Sequence, residues 1–352
     1  SGTEPMMAVN LGTAGAAEAA ALLEYCNAPT GSAWSDLRKK NGSADPYGVK
    51  LWCLGNEMDG PWQAGHVPAA EYGRRARAAG AMMKGNDPTI ETVACGSSGL
   101  GMPTYLSYDR ETLEIAWDSV DYVSAHRYSN NSRDDTAWFL AEGVEIDRVL
   151  EDYAGLLDYL RGLKKTKKRV YVSFDEWNVW YRTFGNAAGD GNWQFAPHLL
   201  EEWYDLQDAL VCAQYLNAFI RRADLVKVAC IAQIVNVIAP IMTRPGGLLL
   251  QTIYHPIAAI SKAVTPGSVS LRLALDSPTY KAGERGEVPA IDASAVFDPA
   301  TGVASAFFVN RDARPQATTL TFGDRTIGAV RESTVVAGED PKAANTWDAP
   351  ER

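Results

Sequence analysis

Short apolar segments alternate with amphipathic helical patterns along most of the chain, up to about residue 264. Each apolar segment is nearly continuous, which is typical of strands that are buried on both faces of a parallel sheet. Strands alternating with helices in series predict an α/β fold and favour a barrel. The six segments lie at 6–10, 49–54, 91–95, 122–125, 170–174 and 228–232.

Three helices are predicted between these segments. The first begins near Pro68, a residue that suits a helix start, and ends before Gly85. The second covers about 146–163. The third takes Asp208 as its N-cap and continues to Arg222, because an aspartate side chain can accept from the free backbone N–H groups of a helix start.

The pattern changes after Pro266 to an alternation of apolar and polar residues with period two. Such alternation, bounded by turn residues, indicates antiparallel strands with one buried face. We therefore predict a barrel domain over 1–264 and a β-sandwich domain over 265–352. The alternating segments are 268–275, 291–296, 304–309 and 318–322.

Charge and cysteine content narrow the class of protein. The chain has 33 Lys and Arg against 43 Asp and Glu, a net charge of −10, without a basic block. An acidic chain without a basic block is a poor partner for nucleic acid or an anionic membrane surface, so we predict neither. No apolar run approaches the roughly 18 residues of a membrane helix. Five scattered cysteines without a CxxC motif predict reduced, buried thiols in a cytoplasmic protein.

Two glutamates occupy equivalent positions after apolar strands. Glu57 follows 49–54 and Glu176 follows 170–174. The carboxyl ends of parallel barrel strands surround the active-site mouth. Glycoside hydrolysis needs two carboxyl groups there, one protonated and one ionised. Most of the 43 acidic residues must be structural, and either glutamate alone could be a surface residue or a helix N-cap partner, so the prediction rests on their shared register.

Further polar and aromatic residues could contact a sugar. His126 and Tyr128 follow the strand at 122–125, and Gln233 lies in the apolar run of the last strand, where we predict it to be buried. Trp180, beside Trp177 and Tyr181, could form a stacking face. Core packing is the alternative for these residues. The four histidines show no ligand spacing, so we predict no metal and no cofactor.

Several segments together resemble the α-L-arabinofuranosidases of glycoside hydrolase family 51. The match is carried by long segments and extends over nearly the whole chain, weakening after residue 270. The segments are Thr3–Thr13, Gly55–Gln63, Ala125–Tyr128, Phe174–Tyr181, Ala196–Glu202 and Val235–Ile241.

The resemblance implies an α/β fold, with a (β/α)8 TIM barrel joined to an antiparallel β-sandwich, and an exo-acting enzyme that retains anomeric configuration. It implies that Glu57 is the acid/base and Glu176 the nucleophile. It further implies sugar contacts by Asn56, an orienting role for Tyr128 beside the nucleophile, and a sugar subsite lined by His126, Trp180 and Gln233. Retention implies carboxyl groups roughly 5–5.5 Å apart.

The resemblance also implies that the chain starts near barrel strand 3 and carries strands 3–8. A second polypeptide or segment would then supply strands 1 and 2, and a homo-oligomer is expected. The expected substrates are arabinoxylan, arabinan or arabino-oligosaccharides. Two alternatives stay open: a β-D-xylosidase or endo-β-glucanase on the same fold, and a carbohydrate-binding fragment without catalysis.

Overall fold

The structure is a computed structural model, and it describes residues 4–182, 195, 199–324 and 326–351. The chain forms two compact units, and each is described separately. The predicted domain boundary at residue 264 stays a prediction. The first unit comprises Ser1–Arg127, Val149–Glu176 and Asp224–Cys230, and the second comprises Tyr128–Arg148, Trp177–Ala223 and Ile231–Arg352.

Six strands form one sheet in the order β1-β2-β3-β4-β5-β6. The pairs β1–β2, β2–β3 and β3–β4 are parallel. Consecutive parallel strands with intervening helices are the arrangement of a TIM barrel, so the α/β prediction is confirmed. The strands are β1 Met6–Val9, β2 Leu51–Leu54, β3 Glu91–Ala94, β4 Tyr122–Ser129, β5 Tyr171–Val179 and β6 Val226–Ile231.

Two of these strands are longer than the sequence pattern predicts. β4 continues to Ser129 and β5 to Val179, so His126 and Glu176 lie within strands rather than after them. Burial explains the difference, because Trp177, Asn178 and Val179 are buried beyond the polar pair Asp175 and Glu176. The apolar run that marks a strand is interrupted by functional side chains, while the extended backbone continues.

The three predicted helices are present, with two corrections. The first, α3, does not end before Gly85 but includes it and ends at Asn86. Asp205, not Asp208, is the N-cap of α7. Its side chain accepts from the backbone N–H of Asp208 at 3.2 Å, and the Asp208 side chain accepts from the Asp205 N–H at 2.9 Å. This capping box satisfies two free donors at the helix start. The helices are α1 Ala16–Asn27, α2 Ala33–Lys40, α3 Ala69–Asn86, α4 Ser107–Ala116, α5 Thr136–Leu140, α6 Glu142–Leu163, α7 Leu206–Arg221 and α8 Tyr254–Ala263.

In the first unit, α3 packs against α1, α4 and β2. The fully buried Tyr72 of α3 donates its hydroxyl to the Leu54 carbonyl at 2.7 Å and accepts from the Cys95 N–H at 2.6 Å. These two bonds join the carboxyl ends of β2 and β3. They fix the point from which the segment that carries Glu57 leaves the sheet.

The second unit carries antiparallel β structure after residue 264, as predicted, but with fewer strand residues. The segment 268–275 contributes only Val269–Ser270, and 318–322 is not a strand. Residues 318–321 are exposed and pair with no strand among the described residues, so alternation alone did not make a sheet. The strands are β7 Ile241–Arg244, β8 Gly247–Leu250, β9 Val269–Ser270, β10 Thr279–Lys281, β11 Glu287–Pro289, β12 Ile291–Asp298 and β13 Val303–Asn310, and the larger sheet has the order β13-β12-β9.

The five cysteines are free thiols. Cys26, Cys95 and Cys212 are buried, while Cys53 and Cys230 are half-buried. Among the helices that the structure describes, none combines the length and apolar character needed to cross a bilayer.

Candidate active site

A tight segment after β2 presents Glu57. Gly55 has φ 99° and Glu57 has φ 45°, so both adopt left-handed backbone. Glycine adopts this conformation freely, whereas for glutamate it costs of order 1 kcal/mol. The backbone N–H of Gly60 donates to the Glu57 carbonyl at 2.8 Å, which closes a turn around the glutamate. The strained residue is therefore held by its neighbours.

Asp59 anchors the same segment to the loop that follows β3. Its carboxylate accepts from the Ser97 hydroxyl at 2.8 Å, the Ser98 N–H at 3.0 Å and the Thr104 hydroxyl at 2.6 Å, as well as from the Ser98 hydroxyl. Four donors to one carboxylate restrict the movement of the Asp59 side chain. Because Asp59 is only two residues after Glu57, these bonds also help to fix the position of Glu57.

His126 lies between the two glutamates singled out in the sequence. Its Nδ1 atom is 3.1 Å from Oε1 of Glu57 and 3.6 Å from Oε2 of Glu176. The His126 side chain is 5% exposed, Glu57 14% and Glu176 29%. The Nδ1 atom and one oxygen of each glutamate all lie within 4.8 Å of one another. The structure therefore brings Glu57, His126 and Glu176 together in the first unit.

Beneath this trio, Asp175 holds the other side of the imidazole. Its Oδ1 atom is 3.1 Å from His126 Nε2 and accepts from the Ser124 hydroxyl at 2.5 Å. Its Oδ2 atom accepts from the Ser173 hydroxyl at 3.1 Å and lies 3.9 Å from the Cys53 thiol. Both imidazole nitrogens consequently face carboxylate oxygens.

The second oxygen of Glu57 is held by a loop. The Trp62 indole N–H donates to Oε2 at 2.5 Å, and the Gln63 amide donates at 3.4 Å. The Trp62 side chain is 59% exposed, so its ring extends into solvent beside Glu57. An exposed aromatic face next to a carboxyl group suits stacking against a sugar ring.

Hydrogen bonds outweigh burial in setting the protonation of this trio. Burial would lower the pKa of His126, but hydrogen bonds to Asp175 and Glu57 and the surrounding negative charge raise its pKa to about 10. Burial would raise the pKa of Glu57, but hydrogen bonds from His126, Trp62 and Gln63 lower it. At neutral pH one proton therefore lies between His126 Nδ1 and Glu57 Oε1.

A cavity of about 340 Å³ opens beside these groups, within the usual size range of a small-ligand site. Its lining combines polar side chains with apolar and thiol side chains. Burial raises the pKa of Cys53, Cys95 and Cys230, so these thiols are neutral. The polar lining is Asn56, Ser124, His126, Asp175 and Glu176, and the apolar lining includes Met6, Ala8, Cys53, Val93, Cys95 and Cys230.

The remaining predicted residues lie in the second unit. Tyr128 and Trp180 pack edge to face with ring centroids 5.1 Å apart. The prediction for Gln233 was wrong in two respects, because it is exposed and lies after β6 rather than within it. Trp177 is buried against Tyr215, at 5.1 Å between ring centroids, and therefore fills the core.

Sequence reasoning assigned no role to Asp175, Ser124 or Trp62. Asp175 and Trp62 were inside the recognised segments, but neighbouring strand residues normally face opposite sides, so nothing indicated that Asp175 and Glu176 line the same cavity. Glu57, His126 and Glu176 could each offer an atom to a metal ion. The His126 nitrogen is, however, already directed at a carboxylate as a hydrogen-bond partner, and the expected lack of a metal stays a prediction.

Two sequence families match the chain. The α-L-arabinofuranosidase 1 domain matches residues 2–166, and the α-L-arabinofuranosidase C-terminal domain matches residues 175–352. Together they account for nearly all of the chain.

Individual relatives agree with these matches. The chain is 46% identical to an intracellular exo-α-(1→5)-L-arabinofuranosidase of Streptomyces lividans over 99% of this chain and 53% of that protein. It is 44% identical to an exo-α-(1→6)-L-arabinofuranosidase of Bifidobacterium longum over 88% of this chain and 61% of that protein. The chain thus spans about half to two thirds of the length of these two relatives.

A solved structure extends the agreement to the fold. A family 51 α-L-arabinofuranosidase from Bifidobacterium longum superposes with a TM-score of 0.89 at 34% identity, over 99% of this chain and 71% of that chain. Matches in sequence and in fold over nearly every residue point to the same group of proteins. The chain belongs to the family 51 α-L-arabinofuranosidases.

Proposed function

We propose that the protein containing this chain is an exo-acting α-L-arabinofuranosidase that works by double displacement with retention. The observation that carries the proposal is the closeness of Glu57 and Glu176, with oxygens within 4.8 Å of each other beside a cavity. Retaining glycosidases hold their carboxyl groups about 5–5.5 Å apart, whereas inverting ones need about 6.5–9.5 Å to admit water. The spacing supports retention.

In this mechanism Glu176 attacks the anomeric carbon and forms a glycosyl-enzyme. Glu57 protonates the departing oxygen and then takes a proton from the water that releases the sugar. The greater exposure of Glu176, 29% against 14% for Glu57, supports access of an anomeric carbon to its carboxylate. The protonated His126, with Nδ1 3.1 Å from Oε1, supports the acid role of Glu57 as a neighbouring source of the proton, since the pKa of Glu57 itself is lowered.

The residues proposed to contact the sugar are supported by two different kinds of observation. Asn56 and His126 line the cavity, which supports contacts to a bound pentose. The roles of Tyr128, Trp180 and Gln233 in binding or orientation rest on the matched segments alone. Terminal α-L-arabinofuranosyl groups on arabinoxylan, arabinan or arabino-oligosaccharides are the proposed substrates, since the relatives are named for 1→5 and 1→6 linkages.

Two further expectations belong to the same proposal. A cytoplasmic location is supported by the Streptomyces relative, which is named intracellular. A homo-oligomer, and a second polypeptide or segment completing the barrel, would be tested by light scattering and intact-mass measurement of the purified protein.

The experiment compares hydrolysis of 4-nitrophenyl α-L-arabinofuranoside and 4-nitrophenyl β-D-xylopyranoside by the full protein, Glu176→Ala and Glu57→Ala. Furanoside turnover that disappears in Glu176→Ala supports the proposal. Glu57→Ala should slow the activated aryl substrate less than an arabino-oligosaccharide, because only the poorer leaving group needs protonation. Equal losses on both substrates would contradict the acid role of Glu57.

Azide distinguishes the two roles further. In Glu57→Ala it should intercept the glycosyl-enzyme and give an azide of the same anomeric configuration as the substrate. In Glu176→Ala it should attack directly and give the opposite configuration. Preferential xyloside turnover would favour the xylosidase alternative, and sugar binding without turnover would favour the binding fragment.

A further inference from the structure

Asp175 is a buried carboxylate in the active-site cavity without a part in the proposed double displacement. Its side chain is 10% exposed and lines the cavity. Ser124 of β4 and Ser173 of β5 donate to it, and His126 Nε2 lies 3.1 Å away. A buried charge is costly unless it is paired and hydrogen-bonded, and these three groups provide that pairing.

The geometry of His126 restricts where its protons are. The Ser124 hydroxyl donates its proton to Asp175 Oδ1 at 2.5 Å. The Ser124 oxygen, 2.9 Å from Nε2, and Asp175 Oδ1, 3.1 Å from Nε2, therefore both face this nitrogen as acceptors. Nε2 therefore carries its proton. The other nitrogen, Nδ1, is left to share one proton with Oε1 of Glu57 at 3.1 Å.

We propose that Asp175 is a positioning residue, and this proposal rests on the proposed function. Asp175 holds the proton on Nε2 of His126. Nδ1 then holds the proton that Glu57 delivers to the leaving group. The proton moves from Nδ1 to Oε1, which leaves His126 neutral and Glu57 protonated. Glu57 passes this proton to the departing oxygen and later recovers one from the attacking water.

The charges around His126 favour this arrangement. The carboxylates of Glu57, Asp175 and Glu176 all face the ring, while burial keeps the thiols of Cys53, Cys95 and Cys230, which line the same cavity, neutral. Trp62 and Gln63 contact only Oε2 of Glu57. Asp175 is therefore the carboxylate that stabilises the protonated imidazole from the Nε2 side.

The test is the pH dependence of kcat/KM for the full protein on 4-nitrophenyl α-L-arabinofuranoside and on an arabino-oligosaccharide. In Asp175→Asn the alkaline limb should move to lower pH by about one unit or more, because the anion that stabilises the proton is gone. In Ser124→Ala the limb should move by much less, because the Asp175 carboxylate still accepts from Nε2. A large shift in Asp175→Asn beside a small one in Ser124→Ala supports the proposal.

Ser173→Ala is a second small perturbation of the same carboxylate, since Ser173 donates to Oδ2 of Asp175. Its alkaline limb should also move by much less than that of Asp175→Asn. A limb that Asp175→Asn shifts no further than Ser124→Ala and Ser173→Ala do would overturn the proposal. If Asp175→Asn does not fold, the protonation of Nε2 in the unmodified protein decides.

Nitrogen-15 NMR of histidine-labelled protein separates this proposal from the proposed function. With the His126 signals assigned through His126→Gln, Nε2 should carry a proton throughout pH 6–9 and lose that protection in Asp175→Asn. An Nε2 atom that is unprotonated at neutral pH overturns the proposal whether or not the protein hydrolyses the furanoside. Absence of furanoside turnover with a protonated Nε2 would instead contradict the proposed function alone.

Discussion

His126 Nδ1 lies 3.1 Å from Oε1 of Glu57, and this hydrogen bond joins a residue of β4 to a residue of the segment after β2, two strands away in the sheet. The same nitrogen lies 3.6 Å from Glu176. One imidazole therefore neutralises part of the repulsion between two carboxylates that are close enough for double displacement.

Replacing His126 by glutamine removes this positive charge. The first carboxylate that forms in the pair then lacks the nearby positive charge that stabilised it, so the first deprotonation becomes harder. We expect the acid limb of kcat/KM to move to higher pH by about one unit. A pH–rate profile on 4-nitrophenyl α-L-arabinofuranoside measures the shift.

His255→Gln is the control, because His255 lies in the second unit beside Asn345. Its profile should match that of the unmodified protein. An acid limb that stays in place in His126→Gln would show that the imidazole does not influence the carboxylate pair.

Trp62→Phe keeps an aromatic ring beside Glu57 but removes the N–H that donates to Oε2 at 2.5 Å. Since this bond stabilises the ionised form, its loss should raise the pKa of Glu57 and move the alkaline limb upward by roughly 0.5 pH unit. Trp34→Phe, on the exposed side of α2, is the matched control. An unshifted limb together with an unchanged KM would mean that Trp62 has no influence on Glu57.

The strands and the paired glutamates could be predicted from sequence because each depends on local pattern. The apolar run at 91–95 needs only its own residues to be recognised, and Glu57 and Glu176 each follow such a run. The contact of Asp175 with Ser124 could not be predicted in this way, since it depends on how β4 and β5 lie side by side. Whether 318–322 forms a strand likewise depends on a partner strand, which its own residues do not reveal.

Asp109 makes stability depend on pH. Burial raises its pKa to about 6 from 3.8, although hydrogen bonds from Tyr153 and Ser97 partly oppose the shift. The folded chain then binds more protons than the unfolded chain between these values, so stability falls as pH rises from about 4 to 6. Above that range, the buried ionised side chain lowers the free energy of unfolding by about 3 kcal/mol.

Asp109→Asn should remove this dependence, because an amide does not ionise. Relative to the unmodified protein, the variant should gain about 2–3 kcal/mol of unfolding free energy between pH 4.5 and pH 7. Urea denaturation at several pH values measures it, with the exposed Asp36→Asn as control. A difference between variant and parent that does not change with pH would contradict the prediction.

Gly96 and Gly85 provide a contrasting pair. A Cβ on Gly96 would lie 2.3 Å from the Ser124 carbonyl oxygen and 2.3 Å from Oδ1 of Asp109. Gly96→Ala should therefore destabilise the protein by about 1–3 kcal/mol, since the backbone oxygen cannot move away freely. It should also lower activity, because Ser124 supports the active site.

Gly85 lies in α3 with open space around the position of a Cβ. Gly85→Ala should stabilise the protein by about 0.5–1 kcal/mol, because alanine loses less backbone entropy in a helix. Thermal unfolding of both variants measures the contrast. Similar melting temperatures for the two would contradict the close approach at Gly96.

The left-handed backbone of Glu57 has a consequence for how such a protein can change. Glycine would relieve the strain at φ 45°. It would also deprive the buried His126 and the Trp62 N–H of their carboxylate, so Glu57→Gly exchanges a backbone gain for lost hydrogen bonds. The strained conformation is therefore maintained by the same contacts that hold the carboxyl group in the active site.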